Sequence, residues 1–204
     1  YGAISGYFGG KVDAVMMRFL DLIYSIPDVL VVILLSIGIS QPLKSFVNSS
    51  TSDVAKKIGV LGPALISIFI AFGLLYWVGM ARIIRGQVLM LKKQEFVTAV
   101  EALGGSKKRI IRRHLFPNCI GQVIVMTAMQ IPSAIFLESF LSFLGIGVSA
   151  PMTSLGALAA DALGGIYSYA YRLIIPSLLL SLMILSLNLF ADGLRDALDP
   201  RLKK

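Results

Sequence analysis

Cysteine and histidine are almost absent from this chain of 204 residues, which has one of each, Cys119 and His114. A lone cysteine cannot close an internal disulfide, so no stapled framework of the small secreted kind is available. With a single histidine beside it, no ligand set has the spacing of a zinc, haem or iron–sulfur site, and no metal site is expected. Charge is scarce too, at 15% of residues against about 25% in a soluble domain. No Gly-x-x-x-x-Gly-Lys-Ser/Thr phosphate loop occurs, so this chain is not expected to hydrolyse ATP. What fills the sequence is apolar: 56% hydrophobic residues and a mean hydropathy of +0.82, a composition of the membrane class.

The charge that is present is unbalanced, with nineteen Lys and Arg against eleven Asp and Glu, a net +8. In a soluble chain that excess would suggest nucleic acid. Here the basic residues are separated by long uncharged stretches that a nucleic-acid module does not need, so no nucleic-acid partner is expected. A helix crossing about 30 Å of hydrocarbon needs about 18–20 apolar residues. Three stretches meet that length directly, giving spans near 63–81, 118–138 and 173–191. A fourth, Val29 to Ser40, is too short alone. It reads as part of a broken helix over 15–40 that carries Asp21 and Asp28. Residues 1–7 read as the tail of one more span, ended by the glycines of Gly6-Tyr7-Phe8-Gly9-Gly10. The whole reads as one all-α transmembrane domain, a polytopic helical bundle whose amino-terminal part is missing.

Topology accounts for the charge. If the loop 82–117 is cytoplasmic, nine basic residues lie in it, and Lys11, Arg18, Arg195, Arg201, Lys203 and Lys204 fall on the same side. Lys44, Lys56, Lys57 and Arg172 fall on the other. Fifteen against four is the distribution of the positive-inside rule, with a cytoplasmic carboxyl terminus.

The loop itself is patterned. Glu95 to Leu103 carries Phe96, Val97, Val100 and Leu103 at helical spacing. Gly104-Gly105 should stop that helix, and Ser106 can cap a second one through Lys107 to Leu115, before Pro117 opens the next span. A plainer alternative is a basic loop near lipid headgroups, where each Lys or Arg contributes about 1 kcal/mol.

The residues Thr98-Ala-Val-Glu-Ala-Leu-Gly104, followed nine residues later by His114-Leu-Phe-Pro117, resemble the cytoplasmic loop motif of ATP-binding-cassette importer permeases. The motif is Glu-Ala-Ala, three residues, Gly, nine residues, Ile-x-Leu-Pro. Thr98, Val100, His114 and Phe116 depart from it, whereas Ala99, Gly104 and Pro117 match. Gly-Tyr-Phe-Gly-Gly at 6–10, Glu138-Ser-Phe-Leu-Ser-Phe-Leu-Gly-Ile-Gly147 and Asp192-Gly-Leu-Arg-Asp-Ala-Leu-Asp-Pro-Arg201 are similar to the oligopeptide, dipeptide and nickel branch and its C-type subunit. The resemblance implies a type I-like permease of six spans, of which the first and most of the second are lacking here. It implies a homologous permease as heterodimer partner, two cassette ATPase subunits that bind the ATP and Mg, and an extracellular solute-binding protein. It also implies alternating access, and a cytoplasmic membrane of a bacterium or archaeon around the whole. No cofactor is expected in this chain. Residues matching the coupling region are Glu95, Thr98, Ala99, Glu101, Gly104, Ser106, Arg109 and Pro117.

Polar residues in spans are costly and therefore candidates for a pathway. Thr127, Gln130 and Glu138 share one face about 80° wide, with Glu138 also readable as an interfacial carboxylate. On the last span Ser177, Ser181, Asn188 and Asp192 share a face that serves equally as a helix-packing surface. Asp28 follows Pro27. It reads as a helix restart capped within Ser25-Ile-Pro-Asp28, or as a pathway carboxylate for a peptide's ammonium group. Thr153 to Tyr169 reads as a short external helix at the interface. Three rival functions stay open: the same machine carrying nickel or another small solute, an ion-coupled secondary transporter using Asp28 or Glu138, and a non-transport membrane scaffold, for which the glycine-divided loop has no obvious use.

Overall fold

A computed structural model describes residues 1–50, 52–148 and 152–198. Among them every regular element is a helix. Four helices are long and apolar enough to cross a membrane: Asp28–Ser49, Pro63–Leu91, Lys107–Phe143 and Tyr171–Leu198. The chain is an all-α, multi-pass membrane protein. The tail charges Arg201, Lys203 and Lys204 lie outside the described residues.

Two compact units are present. The first contains Tyr1–Ile26, Tyr76–Met129 and the described residues from Ala191 on; the second contains Pro27–Leu75 and Gln130–Phe190.

The first unit begins with α1 (Gly2–Phe8) and α2 (Gly10–Tyr24). Between them Gly9 and Gly10 both take positive φ, 63° and 52°, a conformation that side chains disfavour. Gly2 and Gly6 sit one turn apart against α5 (Pro63–Leu91), where added Cβ atoms would overlap the carbonyl oxygens of Ala81 and Arg85. Two glycines at this spacing let helix backbones approach closely, a common device between membrane helices. A buried core then joins Ala3 and Tyr7 of α1, Ile84 and Val88 of α5, and Val97, Ile110, Leu115 and Cys119 from the segments that follow.

The second unit contains α3 (Asp28–Ser49), which packs on α4 (Asp53–Leu61). Ser52 caps α4, accepting from the Ala55 N–H at 3.2 Å. α9 (Leu155–Ala162) is capped by Ser154, and a 3-10 turn at Leu163–Gly165 extends it. Phe136, Phe140, Leu155, Ala159, Leu173 and Pro176 help to line an apolar cleft of about 280 Å³.

The broken helix expected over 15–40 is divided at Ser25–Pro27 into α2 and α3. Three boundaries differ from the sequence reading. α3 gains its length at the other end, running past Ser40 through Pro42. The loop expected from residue 82 is helical to Leu91; arginine is a good helix former, and Arg82 and Arg85 meet carboxylates instead of ending the helix. Finally, the second loop helix does not stop before Pro117. α7 (Lys107–Arg109), a π-helical turn at Ile110–Leu115 and α8 (Phe116–Phe143) run on as one helix. The widened turn relieves the clash between the Pro117 ring and the preceding carbonyls, and the missing proline N–H falls where the ladder is already irregular.

Candidate functional site

The loop helix α6 (Glu95–Ala102) ends because Gly104 takes φ 77°. The Gly104 N–H donates to the Glu101 carbonyl at 3.0 Å and the Gly105 N–H to the Val100 carbonyl at 2.9 Å. Those are the two bonds of a Schellman stop. Ser106 then caps the next helix, its Oγ accepting from the Arg109 N–H at 3.4 Å. A tight, fully bonded turn therefore separates the two helices.

α6 has two unlike faces. Val97 is fully buried in the core of the first unit, and Val100 packs beside it. Outward lie Phe96, Thr98, Ala99 and Leu103, with Leu103 87% exposed. Thr98 donates to the Glu95 carbonyl at 2.9 Å, which leaves its methyl group as the outward feature. Glu95 and Arg109 are exposed, and Pro117 is exposed at the second position of α8.

Two sets of contacts anchor this loop. The Tyr7 hydroxyl donates to Glu101 Oε1 at 3.1 Å. Lys92 Nζ donates to the Tyr7 carbonyl at 2.6 Å and lies 5.2 Å from its ring centroid. α6 is thereby tied to α1 and to the end of α5 through one tyrosine. Nearby, Arg85 donates through Nε and Nη2 to the two carboxylate oxygens of Asp13, and Ser5 adds its hydroxyl. The guanidinium holds the Asp13 carboxyl below its ordinary value; burial opposes this and the Ser5 bond supports it. One turn along α5, Arg82 bonds Asp21 at 2.8 Å and lies over the Tyr24 ring at 4.5 Å.

Several polar residues of the long helices bond within their own helix, whereas Ser36 Oγ on α3 is buried with no hydrogen-bond partner among the described residues. Asp28 is the first residue of α3 and its Oδ1 accepts from the Val29 N–H at 2.9 Å. Ser25 does not cap that helix, since its hydroxyl donates back to the Leu22 carbonyl. Thr127 donates to the Val123 carbonyl at 2.8 Å. Glu138 accepts from Ser142 at 2.6 Å and from Ser139 at 3.3 Å, both on its own helix. Gln130 is half-buried on α8, and Asn188 is exposed on α10 (Tyr171–Leu198).

Residues 1–204 match the family described as binding-protein-dependent transport system inner membrane component. The chain belongs to this family. Among curated proteins it is 42% identical to the dipeptide transport system permease protein DppC of Bacillus subtilis, over 100% of this chain and 57% of the relative. It is 40% identical to the oligopeptide transport system permease protein OppC of the same organism, over 100% of this chain and 60% of the relative. Against OppC of Escherichia coli K12 the identity is also 40%, over 95% and 57%. The chain spans less than two thirds of the length of these relatives.

In this inner membrane component the structure brings Glu95, Thr98, Ala99, Glu101, Gly104, Ser106 and Arg109 onto one helix, its stop and the cap that follows. Sequence reasoning missed the anchors, because Ser5, Tyr7 and Asp13 are far from the loop in sequence and Arg85 was counted only among the loop's basic residues. One signal was available. Asp13 and Asp21 are eight residues apart on α2, about 80° around a helix, and Arg82 and Arg85 are three apart on α5, so the faces can pair twice.

Proposed function

We propose that the chain is the permease part of an ATP-driven importer of oligopeptides or dipeptides, working by alternating access with a homologous permease. Two ATPase subunits would bind ATP and Mg and dock on the outward face of α6, and an extracellular binding protein would deliver substrate. The membrane would be the cytoplasmic membrane of a bacterium or archaeon, with the loop and the carboxyl terminus inside.

The observation that carries this reading is the two-faced α6. Its Thr98, Ala99 and Leu103 side is exposed among the described residues, while Val97 and the Tyr7–Glu101 bond fix it to α1 and α5. A short helix with an apolar outer face and a rigid inner attachment passes on a displacement that a floppy loop would absorb. Glu95 complements the start of α6, and Glu101 anchors the helix by accepting from Tyr7. Gly104 sets the stop, and Ser106 with Arg109 starts the helix that runs through Pro117 into the span. Asp28, Thr127, Gln130, Glu138 and Asn188 would contribute a weakly polar pathway, suited to a permease that leaves selection to its binding protein.

The test is Gly104→Val in the assembled transporter. A β-branched residue at φ 77° costs at least about 1–2 kcal/mol, so the stop should unravel or tilt. Peptide uptake per ATP hydrolysed should fall severalfold while both permeases still reach the membrane. Uptake and stimulated ATPase activity at normal rates would overturn the coupling role.

A further inference from the structure

An open groove of about 500 Å³ lies on the helix after the glycine turn, lined by Ser106, Lys108, Arg109, Arg112, Arg113 and Pro117. The π-helical turn creates it. Five-residue spacing turns both Ile110 and Leu115 into the core, 1% and 0% exposed, and leaves the cations in two adjacent pairs on the outer side. None of the four enters an ion pair among the described residues, where the pairs are Lys56–Asp53, Arg82–Asp21 and Arg85–Asp13. The loop's two acids do not help: Glu95 stands at the far end of α6, and Glu101 accepts from Tyr7.

Four unpaired cations around one concavity call for an anion, and paired guanidinium groups suit the oxygens of a phosphate. Directly after the groove, Phe116, Ile120 and Ile124 are exposed at 50%, 43% and 43%. Their spacing of four puts them on one stripe of α8 running from the groove into the apolar span. A ligand filling both features is anionic at one end and apolar along its length. A free phosphate would leave the stripe uncovered.

We propose that this groove binds the phosphate headgroup of an anionic phospholipid of the inner leaflet, with its acyl chains along Phe116, Ile120 and Ile124. The site rests on the membrane-permease reading, but it is measured by lipid retention, which is read separately from transport. The bound lipid would fix the level of the π-helical turn at the membrane surface.

The experiment uses the assembled transporter in detergent, exchanged with dioleoylphosphatidylglycerol or dioleoylphosphatidylcholine, with retained lipid counted by native mass spectrometry. Wild type should prefer phosphatidylglycerol. Arg112→Gln with Arg113→Gln should weaken its retention about thirtyfold, the product of two lost surface charges. The Lys double variant at the same positions should restore most of it, separating lost charge from misfolding. Lys56→Gln with Lys57→Gln removes equal charge elsewhere and should change nothing. Unaltered retention in the Gln double variant overturns the site. Displacement of the lipid by millimolar inorganic phosphate also overturns it, in favour of a free-anion site. Loss of an ATPase subunit with lipid retained overturns it in favour of an acidic protein surface.

Discussion

Replacing Asp13 by Asn removes the charge that Arg85 faces and should loosen the core under α6. Asp13 accepts two bonds from Arg85 and one from Ser5, and the two charged side chains are 14% and 33% exposed. A hydrogen bond to a charged group is worth about 1.5–3 kcal/mol net. Breaking a fully buried pair by removing one partner costs about 3–5 kcal/mol. With Arg85 partly open to solvent, about 2–3 kcal/mol is expected for Asp13→Asn or Arg85→Gln. The chain carries its own reporter, because its one cysteine, Cys119, is fully buried in the core that holds Tyr7 and Val97. Thiol labelling in detergent measures how often that core opens. At about 1.4 kcal/mol per factor of ten, the labelling rate should rise roughly 30- to 150-fold in each single variant. Asp13→Asn with Arg85→Gln should cost clearly less than the sum, since no charge is then left unpaired. Arg172→Gln, in the second unit, should leave the rate unchanged. A rise below about threefold in both single variants, or strict additivity in the double, would refute the claim that this pair holds α2 to α5.

Tyr7→Phe keeps the ring beside Lys92 and deletes the bond to Glu101; about 1 kcal/mol of local stability should go, with fewer peptides moved per ATP at unchanged protein level in a vesicle assay. Gly6→Val puts side-chain atoms against the Arg85 carbonyl and Val88, so overpacking of about 1–3 kcal/mol should lower the thermal midpoint in detergent. Acid should act through Asp13. Its folded pKa lies below the unfolded value of about 3.9, so its contribution is whole above that pH and is lost as pH falls through the lower folded value. A thermal midpoint that drops below about pH 4 in wild type, and less steeply in Asp13→Asn, is the expected result.

Much of the loop was legible because its signals are local. Gly104 stops α6 and Ser106 caps the next helix through bonds that span only three to five residues, so residue type and spacing suffice. Pro117 was misread for the opposite reason. Proline normally ends or starts a helix, but here the π-helical turn before it lets the helix continue, and nothing in the residues Ile110 to Leu115 marks a five-residue period. Asp28 was half legible: a helix does restart there, yet Ser25 bonds backward to Leu22 instead of capping it.

By itself the sequence determined that this is a multi-pass helical membrane protein, with its basic residues gathered around one loop, because hydrocarbon thickness and charge cost act on each segment separately. Tertiary structure alone decided what holds the loop in place. The Asp13–Arg85 and Tyr7–Glu101 contacts join residues 72 and 94 positions apart. Such pairs depend on how helices lie against one another, and α1 lies close to α5 because Gly2 and Gly6 leave room for its backbone.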